Sequence, residues 1–313
     1  MDFGVLIANW NGSGFVERCL GSVLAAARRV GDPMRILAVD DASTDDSPQK
    51  IRGLFPSVEL LSLPKNVGFG RAVNAGMRAL DTPWVFLLNN DLALPSDFFE
   101  KLIEARNSRQ SIDAEQLFAI GAKTLEWQTQ LPNHAGMRAR WNGRMIVQDP
   151  FDSPEPSSAD FIQGGSCLVD RSKFLSLGGF CEIFSPGYWE DYDICYQALK
   201  RGWKIYYEPR AVAYHWGKKS MRALLGDHRL ALTIKRNHLL FNWINLTDSG
   251  LLRTHSISLG RLMLEHECHE IDRLASWPRA LIEASAKIPA ALQVRRERTG
   301  AERLPDRRIL RID

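Results

Sequence analysis

Short apolar runs alternate with amphipathic stretches over the first hundred residues. VLIANW (Val5–Trp10) is a continuous apolar run that reads as a strand buried on both faces. FVERCLGSVLAAARR follows with apolar positions every three or four residues, the period of a helix with one buried side. The alternation then repeats. RILAVDD (Arg35–Asp41) predicts a second strand, and Ser47 with Pro48 behind it predicts a capped helix start. VELLSLP, GRAVNAGMRAL, WVFLLNND (Trp84–Asp91) and SDFFEKLIEARN continue as strand, helix, strand and helix. Strands joined through helices imply right-handed crossovers and a parallel sheet with helices on both faces, an α/β fold.

The pattern loosens after Asn107. LFAIGAKTL reads as a further strand, whereas 126–160 is polar, Pro- and Trp-containing and poorly periodic, as in a substrate-shaping insertion. FIQGGSCLVDR returns to a strand, with Gly164 and Gly165 permitting close backbone approach. The SKFLSLGGF helix and turn come next. SPGYWEDYDICYQALKRGW then places Glu190, Asp191 and Asp193 at the start of a helix, and a strand pair ends in KIYYEPRAVAYHW. Helices follow to Gln293, and 295–313 is a charged stretch expected to be a disordered tail. The expected organisation is 1–220 as catalytic domain (donor side 1–107, acceptor side 108–220), 221–294 as a helical region and 295–313 as the tail.

Composition narrows the class. The chain is 45% hydrophobic and 25% charged, as in an ordinary globular protein. No run approaches the roughly 18 apolar residues of a membrane span. The opening MDFGVLIANWNG lacks the basic region of a signal peptide. Five cysteines without a CxxC pair indicate a reducing compartment, so a cytoplasmic location is expected. The net charge of +3 is uneven: Met221–Asp313 carries +5 and the remainder −2. In 222–243 apolar and basic residues mix at helical spacing, which suits peripheral contact with an anionic membrane, packing on the catalytic domain, or a second subunit. No aromatic-basic platform points to nucleic acid. His266, Cys268 and His269 in EHECHE resemble metal ligands, but no second ligand cluster accompanies them.

Ligands of such sheets bind beyond the carboxyl ends of the strands. Those ends read Asn9-Trp10-Asn11, Asp40-Asp41 and Asn89-Asn90-Asp91, a concentration of carboxylates and amides. One acid there can hold a base or ribose, and a second can hold a divalent cation bridging a diphosphate; oxygen ligands suit Mg²⁺ or Mn²⁺. Neither GxxxxGK[ST] nor GxGxxG follows the first strand.

Taken in order, VLIANWNG, AVDDASTDDS, NVGFGRAVNAG, LLNND and GYWEDYDICYQALKRGW resemble the motifs of GT-A glycosyltransferases of family 2, most closely bacterial rhamnosyltransferase-type enzymes. The resemblance spans roughly Phe3–Trp216, with a looser echo in TIKRNHLLFNW. It implies a GT-A fold and an inverting transfer from a nucleotide-diphosphate sugar, dTDP- or UDP-linked, to a glycan or lipid-linked acceptor. Asp40 or Asp41 and Asn9 would meet the nucleoside, Arg71 the base or diphosphate, and Asn89 and Asn90 the donor. Asp91 would bind Mn²⁺ or Mg²⁺, with His215 in YHW as second ligand. Asn89 stands where the family's DxD-type motif has its first aspartate, one negative charge fewer. Asp191 would be the catalytic base, kept ionised by the helix N-terminus. Glu190, Tyr188, Trp189, Gly164 and Gly165 would form the acceptor side, with the aromatics stacking on a sugar. Asp193 is expected to cap or pair locally. Two alternatives stand beside this reading: a nucleotidyltransferase, although ANWNGSGF carries no Lys or Arg before Arg18, and a sugar-nucleotide-binding protein without activity.

Overall fold

A computed structural model of the 313-residue chain describes residues 1–113, 115–216, 219–262, 276–298, 300 and 302–312. The EHECHE segment lies outside the described residues.

The first half folds as its periodicity demands. Strands β1 (Phe3–Asn9), β2 (Arg35–Asp40), β3 (Glu59–Ser62) and β4 (Trp84–Asn89) run parallel in the order β4-β1-β2-β3. Their connections are the helices α1 (Val16–Val30), α2 (Ser47–Leu54) and α3 (Phe69–Ala79). β1 is buried almost throughout because both faces are covered. Its Val5 and Ile7 join α1, α2 and α4 (Phe98–Asp113) in one core, while Leu6 joins α3 in the other. Phe86 and Phe99 meet at 4.4 Å between ring centroids in the first core. Truncating either ring there costs about 3–5 kcal/mol. Ser47 is the first residue of α2 and not its cap; Asp46 precedes it, and Pro48 still sits in the first turn.

Beyond β4 the sheet is mixed. β11 (Ser166–Asp170) inserts antiparallel between β4 and β6 (Leu117–Glu126). β12 (Lys204–His215), expected as a strand pair, is one long strand parallel to β6 with a register shift between Glu208 and Val212. The short strands β5 (Leu92–Ala93), β7 (Pro132–His134) and β10 (Ser157–Ala159) pair antiparallel at this side. β8 (Gly136–Trp141) and β9 (Ile146–Phe151) make a separate hairpin from the poorly periodic insertion. The result is a mostly parallel sheet flanked by helices, the GT-A arrangement. A short helix α5 (Arg171–Ser176), capped by the Asp170 side chain, leads to α6 (Glu190–Lys200).

The C-terminal third is helical: α7 (Lys219–Asn245, interrupted at Gly226), α8 (Ser249–Leu262), α9 (Trp277–Ser285), α10 (Ile288–Arg298) and α11 (Asp306–Leu310). In the 222–243 stretch Leu232, Leu239, Leu240 and Phe241 are core residues, and even Lys235 and Arg236 are buried. From Ala231 on the stretch therefore packs on the rest of the protein, one of the alternatives the sequence left open, while Asp227, His228 and Arg229 are exposed. The 295–313 stretch is not a loose tail. Its Asp306, Ile309 and Leu310 are buried, and Arg311 forms a two-bond ion pair with Asp160 at 2.8 and 2.9 Å. Among the described residues no helix is long and apolar enough to cross a membrane.

Candidate active site

A cavity of about 330 Å³ opens at the carboxyl ends of β1, β2 and β4, within the size range of small-molecule sites. Every residue selected from the sequence lines it except Asp40 and Arg71.

One wall is a lattice of amides. Asn90 donates Nδ2–H to Asn9 Oδ1 (2.9 Å), and Asn9 donates in turn to Asp40 Oδ1 (2.8 Å) and Ser47 Oγ (3.0 Å). These bonds tie three strand ends together and occupy the Asp40 carboxylate, which also accepts from the Ser43 amide. Asp40 is therefore a brace behind the cavity, and Asp41 is the residue that faces it. Asp41 accepts the Val67 and Gly68 amides at 2.7 and 2.8 Å, which shapes the NVGFG loop. Desolvation raises its carboxyl above the usual range despite those bonds. Arg71 does not line this cavity; it pairs with Glu182 at 2.7 Å beside a small neighbouring pocket that shares Gly68, Pro186, Gly187 and Glu190 with it.

The second wall carries Asp91 and His215. The antiparallel pairing of β5 with β12 sets His215 opposite Leu92, one residue beyond Asp91. His215 Nε2 lies 3.1 Å from Asp91 Oδ2, and its Nδ1 lies 2.7 Å from the Asn133 side-chain amide. Asp91 Oδ1 is buried without a hydrogen-bond partner. An orphaned carboxylate oxygen beside an imidazole at a cavity wall fits a divalent cation. Among the described residues no third His, Cys, Asp or Glu joins them. Two protein ligands suit a cation that keeps water and substrate oxygens, as Mg²⁺ does. Asn89, in the place of the missing acid, packs its side chain against Gly165; a Cβ on Gly165 would sit 2.3 Å from Asn89 Cγ.

The third wall is the start of α6. Asp191 Oδ2 accepts the Gly164 amide (3.1 Å) and Oδ1 the Tyr192 amide (2.9 Å). A Cβ on Gly164 would approach Asp191 Cβ to 3.0 Å, so the glycine is what admits the carboxylate. The helix N-terminus does not dominate here as the sequence suggested. Burial raises Asp191 to about 6 against the lowering from its amide bonds. Burial and the adjacent Asp191 raise Glu190 further, to about 8, and its Oε2 is buried without a partner. Burial thus raises both adjacent carboxyls, and their proximity keeps the two from ionising together easily.

Tyr188 and Trp189 both adopt positive φ (73° and 80°), a costly backbone that persists only where its surroundings impose it. Asn237 of α7 imposes it, donating to the carbonyls of Phe184, Gly187 and Tyr188 at 2.7–2.9 Å. His238 stacks on Trp189 at 4.1 Å and 12°, and burial lowers its pKa to about 4, so it packs as a neutral ring. Trp189 is consequently buried, with His238 covering one of its faces, and lines the cavity with what little surface remains. The aromatic and amide residues Trp10, Asn66, Phe69, Gln163 and Tyr192 also line the cavity. Sequence reasoning assigned them no role although all five stand in quoted stretches, and nothing marked Asn237 beyond the TIKRNHLLFNW echo.

A GT-A sheet thus carries Asp191 and the Asp91–His215 pair around one cavity, and the family match makes the protein a glycosyltransferase. The chain belongs to the family described as Glycosyl transferase family 2, which matches residues 4–172. It is 29% identical over 223 residues to the N-acetylglucosaminyl-diphospho-decaprenol L-rhamnosyltransferase of Mycobacterium tuberculosis, covering 64% of this chain and 71% of that one. It is 22% identical over 290 residues to the pre-mycofactocin glycosyltransferase of the same organism, covering 83% and 59%. Among solved structures it resembles GalNAc-T7 with UDP, GalNAc and Mn²⁺ (TM-score 0.61, 15% identity, 92% of this chain and 57% of that one). It also resembles the mannosyltransferase PcManGT from Pyrobaculum calidifontis with GDP-Man and Mn²⁺ (TM-score 0.52, 15% identity, 96% and 84%). These structural likenesses establish the fold. The chain spans little more than half of GalNAc-T7.

Proposed function

We propose that this glycosyltransferase inverts the anomeric centre of a sugar, rhamnose first among candidates, as it moves it from a dTDP- or UDP-linked donor to a glycan or lipid-linked acceptor. Its setting is bacterial surface polysaccharide synthesis, at the cytoplasmic side of the membrane. The rhamnosyltransferase relative, whose name gives a decaprenol-diphosphate acceptor, supports the choice of sugar and acceptor class. The donor side is 1–107, the acceptor side 108–220, and 221–294 is a helical support.

One observation carries the reading: the Asp191 carboxylate and the Asp91–His215 pair face the same cavity. Asp41 and Asn9 orient the nucleoside end of the donor, and Asn89 and Asn90 line the path toward its diphosphate. Asp91 and His215 would hold Mn²⁺ or Mg²⁺, which would supply positive charge to offset that of the donor diphosphate. To do so His215 carries its proton on Nδ1, with the Asn133 amide turned to accept it. Asp191, ionised above about pH 6, removes the acceptor hydroxyl proton while the Gly164 and Tyr192 amides hold the carboxylate in place. The hydroxyl oxygen attacks the anomeric carbon from the face opposite the leaving diphosphate, and configuration inverts. Glu190, protonated near neutrality, donates a hydrogen bond toward the acceptor.

Titration of UDP, dTDP and GDP with and without Mn²⁺ tests the donor side. Metal-dependent binding of one nucleotide, lost in Asp91→Asn, is expected. Binding that ignores both the metal and Asp91 would contradict it.

A further inference from the structure

The face of α6 turned away from the cavity is charged and yet enclosed. Asp193, Tyr196, Gln197 and Lys200 recur at helical spacing, where a core-facing helix normally presents apolar residues. Asp193 and Tyr196 are fully buried, and Lys200 nearly so. A buried charge persists only when paired and hydrogen-bonded, and the partners here come from the end of the chain.

Arg298 grips both Asp193 oxygens, Nη1 to Oδ1 at 2.8 Å and Nη2 to Oδ2 at 2.7 Å. Asn245 and Gln197 fill the remaining acceptor positions at 2.7 and 3.1 Å. A turn further along α6, Asp306 accepts from Tyr196 (2.8 Å) and pairs with Lys200 (3.1 Å). The Arg303 and Leu304 amides cap the Lys200 carbonyl at 2.7 and 2.9 Å. The strap runs from the first turn of the helix to its last. Asp193 lies two residues past Asp191, in the same first turn, so the strongest of these bonds acts at the end that carries the carboxylate.

Resting on the functional reading above, we infer that Arg298 is a positioning residue for Asp191: through Asp193 it fixes the first turn of α6 against the Gly164 loop. The planar guanidinium makes two parallel bonds, which set the rotation of the helix as well as its distance. Rotation decides whether the Asp191 carboxylate keeps the bond from the Gly164 amide, its donor outside the helix. The donor wall is braced separately by Asn9, Asp40 and Asn90, so the strap acts on the base and leaves nucleotide binding alone.

The test compares the full chain with Arg298→Met, Arg298→Lys and the double variant Asp193→Asn/Arg298→Met. Donor hydrolysis gives kcat per folded molecule, and nucleotide titration gives donor affinity. Arg298→Met is expected to lower kcat about 10- to 100-fold with nucleotide affinity unchanged, the cost of a displaced catalytic group. Arg298→Lys, limited to a point charge, should fall between. The double variant should regain thermal stability, because no buried charge is left unpaired, without regaining kcat. Equal kcat in wild type and Arg298→Met, or recovery of kcat together with stability in the double variant, would overturn the inference by reducing the pair to fold support. Hydrogen exchange provides a readout independent of turnover. Amides of 190–196 should exchange faster in Arg298→Met while those of 84–89 do not change; unchanged exchange in 190–196 also overturns it. Failure of the wild type to bind any sugar nucleotide would instead strike the functional reading, with exchange still judging the strap.

Discussion

The two sides of the cavity are held by different means. On the strand side, Asn9, Asp40, Ser43, Ser47 and Asn90 satisfy one another within a few ångströms of the strand ends that carry them. On the helix side, the start of α6 and the loop before it are held by residues far along the chain: Asn237 bonds Phe184 53 positions away, and Arg298 and Asp306 bond α6 across 105 and 110. The first side is made of neutral amides and hydroxyls with one carboxylate. The second buries several full charges, which cost more to strand than to pair. The proposed nucleotide side is thus locally encoded, whereas the geometry of the proposed base depends on residues of the C-terminal third.

That contrast is sharpest at Asp191. Asp191→Asn should reduce turnover about 10²- to 10⁴-fold, the usual contribution of a general base, with nucleotide affinity intact. Asp91→Asn should do the reverse, abolishing Mn²⁺-dependent nucleotide binding seen by calorimetry. Asn133→Ala, which removes the group orienting His215, should weaken metal affinity about 10- to 100-fold.

The pH dependence follows from the two raised carboxyls. Turnover should fall as pH drops through about 6, where Asp191 takes up a proton. Stability runs the other way. Glu190 has a folded-state pKa of about 8, above its ordinary 4.5, so the folded protein holds more protons between those values and loses stability as pH rises through them. Glu190→Gln should therefore raise the melting temperature at pH 8 and make no difference near pH 4. The smallest effect is expected from Arg71→Ala. Its pair with Glu182 is half exposed and outside the cavity, so stability should change by under ~1 kcal/mol and nucleotide affinity not at all.

The same contrast governs what the sequence disclosed. Apolar runs ending in Asn9, Asp41 and Asn89–Asp91 were readable because strand period and strand-end polarity are local features. Glu190 and Asp191 stood out as acids opening a helix. Local reasoning saw the helix N-terminus that favours an ionised Asp191 but not the desolvation by packed elements that raises both carboxyls. Asp193 looked like a local pairing residue because Arg298 lies 105 residues on. The 295–313 stretch looked like a solvated tail for the same reason: its charges match partners on α6 and at Asp160 that no window of sequence contains. Trp189 looked like an open stacking surface until α7 supplied His238 as the cover of one of its faces.

The most direct test is nucleoside diphosphate release from a panel of sugar nucleotides with Mn²⁺ or Mg²⁺, wild type beside Asp191→Asn. Slow release from one donor, abolished in the variant while the nucleotide still binds, is the predicted result. Equal release by both proteins would contradict Asp191 as the base.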